Sequence, residues 1–141
     1  MAESVADIFN VTIEKTNLWL KDIMTELDWD DRYKAYVALR AVLQTLRDRL
    51  TIEEAAQLGA QLPMLVRGFY YEGWNPTGKP VKERHRDDFL RHIQDYFRND
   101  EAVVPEKVTR AVFKVLSWYV TRGEIKDVKG ILPKDIQTLW S

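Results

Sequence analysis

Apolar side chains recur three and four positions apart along most of this chain, which is the period of one helix face. Leu20, Ile23 and Leu27 make one such stripe, and Leu90, Ile93 and Phe97 make another. Val42, Leu43, Leu46 and Leu50 make a third, matched by Val112, Phe113, Leu116 and Val120. The spacing predicts helices over roughly 13–27, 33–49, 83–97 and 104–119. Pro105 is acceptable near the start of the last of these, where its missing N–H costs no hydrogen bond. Thr51 and Thr121 follow the second stripe of each pair, each with a glutamate three residues on, Glu54 and Glu124. That is a capping box: the threonine oxygen accepts from the N3 backbone N–H while the glutamate reaches back to the cap N–H. A short third helix is therefore expected after each sharp turn, with Gly59 and Gly130 as its stops. Pro63 and Pro133 then suit the first turn of a fourth helix.

These features coincide when the chain is laid on itself with a shift of 70 residues. From Arg40 and Arg110 onward, eight of 24 ungapped positions are identical: Arg40/Arg110, Ala41/Ala111, Val42/Val112, Leu46/Leu116, Thr51/Thr121, Glu54/Glu124, Leu62/Leu132 and Pro63/Pro133. The same register aligns Trp19 with Phe89 upstream and Tyr70 with Trp140 downstream. The expected fold is all-α, with two tandem four-helix units packed into one compact bundle. Two copies are fewer than an open solenoid needs. The expected division is a first unit over 1–70 with a short N-terminal extension, a linker over 71–82 and a second unit over 83–141.

Composition narrows the function classes. The chain has 141 residues, 45% hydrophobic, enough for a sizeable core. It has no cysteine, which excludes disulfides, thiolate nucleophiles and cysteine metal sites. No apolar run is long enough for a membrane span, and the N-terminus lacks a basic region leading into an apolar segment. A cytoplasmic location is expected. Residues 1–70 hold 8 basic and 11 acidic side chains, net −3, and the rest hold 13 and 11, net +2. Neither half has the positive excess of a dedicated nucleic-acid binder.

The connection from Tyr70 to Asp88 breaks the helical pattern. Gly73, Pro76, Gly78 and Pro80 make it turn-rich. It also gathers Tyr71 and Trp74 with Lys79, Lys82, Arg84, His85 and Arg86. Aromatic and basic groups in one loop suit stacking on a ring or binding a phosphate. The plainer reading is a linker pinned by its aromatics and kept wet by its charges. The second contrast between the copies is Trp118-Tyr119 against Asp48-Arg49. That exchange implies a wet surface in the first unit and apolar area to hide in the second, against the other unit, the linker or another subunit.

Other chemistry is sparse. His85 and His92 lie near two helical turns apart with Asp88 between them, which is no recognised zinc spacing. Asp28, Asp30 and Asp31 lack the ligand alternation and glycine of a calcium loop, and suit a helix end and the next helix start. Asp100 and Glu101 are expected to serve the second copy in the same way. Glycine-rich phosphate loops and common hydrolase motifs do not occur. No cofactor, metal or catalytic residue is assigned, and an enzyme is disfavoured.

Arg40 to Trp74, with Arg49-Leu50, the acidic-alanine run Glu53 to Ala56, the block Ala60-Gln61-Leu62-Pro63 and the closing Gly73-Trp74, resembles domain-of-unknown-function family 2267. The likeness extends over roughly 15–140, with Phe89-Leu90 similar to the start of the family's second half. The second copy departs from it at Gly130-Ile131-Leu132-Pro133 and lacks a final Gly-Trp. The resemblance implies an all-helical prokaryotic protein of two repeats and carries no catalytic residues. The expected function is a non-catalytic helical interaction or scaffold module, with a protein partner or self-association. Tyr71, Trp74, Lys79, Lys82, Arg84, His85, Arg86, Trp118 and Tyr119 form its candidate surface. The alternatives are weak binding of nucleic acid or a phosphorylated ligand at the linker, and an enzyme with a polar site between the units.

Overall fold

The computed structural model describes residues 4–98 and 100–140. Among them the chain is all-α: α1 (Val5–Leu27), α2 (Arg32–Arg47), α3 (Ile52–Ala60), α4 (Met64–Tyr71), α5 (Arg86–Tyr96), α6 (Pro105–Tyr119), α7 (Arg122–Ile131) and α8 (Lys134–Gln137). A 3-10 turn, Thr138–Trp140, follows. No helix is long and apolar enough to cross a membrane.

α1 begins well before the expected residue 13. Its start is fixed by a complete capping box, with Asp7 N–H donating to Ser4 Oγ at 3.1 Å and Ser4 N–H to Asp7 Oδ2 at 3.4 Å. Residues 4–11 are exposed, so this part of α1 lies outside the buried face. Asp28 ends α1 in the left-handed region at φ 55°, and Arg98 takes φ 44° after α5. Asp31 caps α2, its Oδ1 accepting from Lys34 N–H at 3.1 Å. The same role expected of Asp100 and Glu101 fails. α6 opens at Val104 and Pro105 without a side-chain cap, and Asp100 Oδ1 accepts from Ala102 N–H ahead of it. α5 starts at Arg86 rather than 83, so Lys82 and Arg84 stay in the linker.

Thr51 and Thr121 accept from the N–H groups of Glu54 and Glu124 at 3.1 and 3.3 Å, so both short helices start where expected. The glutamates do not reach back. Thr121 N–H instead donates to Gln61 Oε1 at 2.9 Å, and Gln61 Nε2 donates to Thr121 Oγ1 at 3.1 Å, tying the end of α3 to the start of α7. Gly59 and Gly130 are not stops either, since α3 and α7 run past them. Gly59 is needed for space: a Cβ there would lie 2.3 Å from the Tyr71 hydroxyl.

α2 is the central element, packed against α1, α4, α5 and α6. From Ala38 through Leu50, the end of α2 and the three residues after it are buried almost without a break, with Arg40 and Asp48 half-buried. Two polar side chains in that run hold the C-terminal end of α4. Gln44 Nε2 donates to Phe69 O at 2.7 Å, and Arg47 Nη1 donates to Tyr70 O at 2.7 Å and Glu72 O at 3.0 Å. Gln44 Oε1 also accepts from the Tyr96 hydroxyl of α5 at 2.6 Å. These are carbonyls that the helix end itself leaves unpaired. Arg47→Met keeps the bulk and removes the donors, leaving two carbonyls without them; it is expected to cost about 2–3 kcal/mol, read from the urea unfolding midpoint.

Candidate functional site

The linker folds into two separate arrangements. Tyr71 sits on Gly59 and tilts against Trp74, with ring centroids 5.5 Å apart. Both rings are half-buried, so they pin the linker to α3 and stand apart from its charges. The second arrangement is a pocket of about 580 Å³ lined by Arg49, Gly78–Glu83, Arg84, Ile131 and Pro133. It gathers Lys79, Lys82 and Arg84, none of which makes an ion pair among the described residues. Val81 N–H donates to Asp48 O at 2.8 Å and fastens this strip to the end of α2.

Arg49 supplies the buried wall. Its Nη1 donates to Thr45 O at 2.9 Å, its Nη2 pairs with Glu83, and its Nε is buried with no hydrogen-bond partner. Burial holds its pKa below the usual value against the opposing pull of Glu83, Asp48 and Asp88. The wet surface expected at Asp48-Arg49 is therefore absent at Arg49, which is 4% exposed.

The remaining candidates are dispersed. Arg86 is a structural tie: its N–H donates to Asp135 and its guanidinium reaches Glu106 and Thr138. His85 lies 3.8 Å from Asp135, whereas His92 contacts Glu83 at 3.0 Å and Asp88 pairs with Arg91. The two histidines thus face different carboxylates. Tyr119 stacks on Trp19 of α1 at 4.9 Å, and its hydroxyl donates to Asp22, which with partial burial raises its pKa to about 12. Trp118 remains 53% exposed under Lys114.

Two features fall outside that set. One is an apolar groove of about 810 Å³ between α1, the start of α2 and α4, lined by Phe9, Leu20, Tyr33, Tyr36, Leu65 and Phe69 among others. The other lies where α3 meets α7. Glu54 and Glu124, each 7% exposed, turn their carboxyls toward each other. The Glu124 carboxyl is pushed up to about 8, first by burial, then by the facing Glu54 carboxyl, and then by Asp127. Nearby, the Tyr70 hydroxyl donates to Ala55 O at 2.7 Å, and burial raises its pKa.

Residues 16–139 match the model of a family described as an uncharacterized conserved protein, DUF2267. The chain belongs to this family. No curated protein matches it. The DUF2267 match takes in the basic pocket and the carboxylate pair, but leaves out Phe9 and Thr12 of the groove wall. Glu54, Glu124 and Arg49 were legible only as a helix cap and a surface arginine. The available signal was that Glu54 and Glu124 are identical in register, each at the third position of a short helix.

The glutamate pair sets a pH dependence. Folded Glu124 keeps its proton up to about pH 8, whereas an unfolded glutamate releases it near 4.5. Between those values the folded state binds more protons, so stability falls as pH rises and levels off above the upper value. Thermal unfolding from pH 5 to 9 is expected to show this decline in the wild type. In Glu124→Gln the decline shrinks; an unchanged pH profile in that variant would refute the assignment.

Proposed function

We propose that this DUF2267 protein is a non-catalytic helical interaction module that pairs with a second copy of itself through α1 and the groove beside it. The observation that carries this reading is the first half of α1. Val5, Ile8 and Phe9 are 65%, 43% and 53% exposed, and their spacing continues the face on which Thr12, Thr16 and Leu20 line the groove. Tyr33, Met64 and Leu65 add exposed apolar area around the same groove. The chain thus carries both an uncovered apolar helix face and a groove to receive one. Two copies related by a two-fold axis cover each other's groove, the usual form of a self-complementary contact. We further propose that the fold is a duplication of units 1–70 and 83–141, for which the paired caps at Thr51 and Thr121 speak. Light scattering after size exclusion is expected to find a dimer at tens of micromolar, and Phe9→Glu is expected to weaken it about tenfold or more. A wild-type monomer at that concentration would rule the reading out.

A second reading has its own support. Lys79, Lys82 and Arg84 surround a pocket whose wall includes a buried guanidinium with an unpaired Nε. Four cations against Glu83 leave an excess of three positive charges, which suits a small phosphorylated ligand. Pyrophosphate is expected to bind by calorimetry at low salt, to weaken with added salt, and to lose about tenfold in affinity in Lys82→Ala and Arg84→Ala. No heat at low salt would remove this reading.

A further inference from the structure

We propose that Glu54, Glu124 and Asp127 form a binding site for a hard divalent cation of the Mg²⁺ type at the contact of α3 and α7. One carboxylate oxygen from each residue lies within 4.8 Å of the other two. The first two come from the opening turns of the two short helices, and Asp127 stands one turn further along α7 on the exposed side.

The second observation is how these groups are left. Glu54 Oε2 and Glu124 Oε2 are fully buried and have no hydrogen-bond partner. Neither residue, nor Asp127, makes an ion pair among the described residues. The backbone task assigned to Glu124 by a capping box is already done by Gln61, whose Oε1 accepts the Thr121 N–H. Buried carboxyl oxygens to which no other residue brings a donor or a counter-charge are costly, and a bound cation satisfies both needs at once. Carboxylate oxygens select Mg²⁺, Mn²⁺ or Ca²⁺ over metals that prefer nitrogen or sulfur. Three protein ligands are too few for calcium's usual six to eight, but suit magnesium, which keeps several waters. Asp127 opens the site to solvent and gives those waters a place.

Mn²⁺ is the probe, because its free form is counted directly by electron paramagnetic resonance. The full chain at a fixed, mildly alkaline pH is expected to bind one Mn²⁺, displaceable by Mg²⁺. Glu54→Gln and Glu124→Gln are each expected to lower affinity about tenfold or more, a change of about 1.4 kcal/mol per decade. Asp127→Asn, at an exposed position that leaves the fold undisturbed, is expected to lower it less. Glu53→Gln, an exposed neighbour outside the cluster, is expected to leave it unchanged. Circular dichroism checks that the glutamine variants fold. The proposal is overturned if millimolar Mn²⁺ does not bind, or if binding persists equally in Glu54→Gln, Glu124→Gln and Asp127→Asn.

Discussion

The fold depends on a polar insertion in its most buried helix. An amide and a guanidinium placed among Leu39, Leu43 and Leu46 destabilise the core unless their donors are met. Gln44 and Arg47 are met by the last carbonyls of α4, the groups that a helix terminus leaves unpaired. Two deficits therefore cancel, and they cancel only when α4 ends at one place against α2. That fixes where the chain leaves at Glu72. Its return is fixed by the same segment, through Asp48 O to Val81 and Arg49 to Glu83. The shape of the basic pocket is in this sense a consequence of the last turns of α2.

The helices themselves were readable because each presents one apolar face, and a periodic face needs no knowledge of its neighbour. Leu20, Ile23, Val42, Leu46, Ile93, Val112 and Leu116 are all buried as their spacing predicts. The caps at Asp31, Thr51 and Thr121 were readable for a related reason: a cap acts within four residues. What the pattern could not give was anything decided between elements. Gly59 looks like a helix stop until Tyr71 is placed against it. Arg49 looks like surface because arginine usually is, and only the fold puts Phe89, Thr45 and Glu83 around it. The opening turns of α1 were missed although Val5, Ile8 and Phe9 keep the helical spacing, because Thr12 and Thr16 interrupt the apolar stripe before Leu20.

The exchange of Asp48-Arg49 for Trp118-Tyr119 makes the same point at one site. Composition placed the wet surface in the first copy and the buried one in the second. Yet Arg49 is buried and Trp118 is exposed, while Tyr119 lies between, with its ring on Trp19 and its hydroxyl on Asp22. Polarity sets the cost of burial, but partners decide whether the cost is met. Arg49 has a carbonyl, a carboxylate and a ring; Trp118 has Lys114 above it and stays exposed.

That criterion separates the glutamate pair from buried polar groups such as Gln44, Arg47 and Thr109. These three have hydrogen-bond partners that the fold supplies. Glu54 and Glu124 each contribute a backbone N–H to a threonine cap, a task any residue other than proline can perform. Their carboxyls add nothing to those caps, and they face each other where α3 meets α7. Helices of nine and ten residues are marginal alone and depend on that contact. An apolar pair would close it without desolvating two acids. A fold with no further use for carboxylates there would gain stability by losing them, so their presence at the contact argues for a role beyond folding.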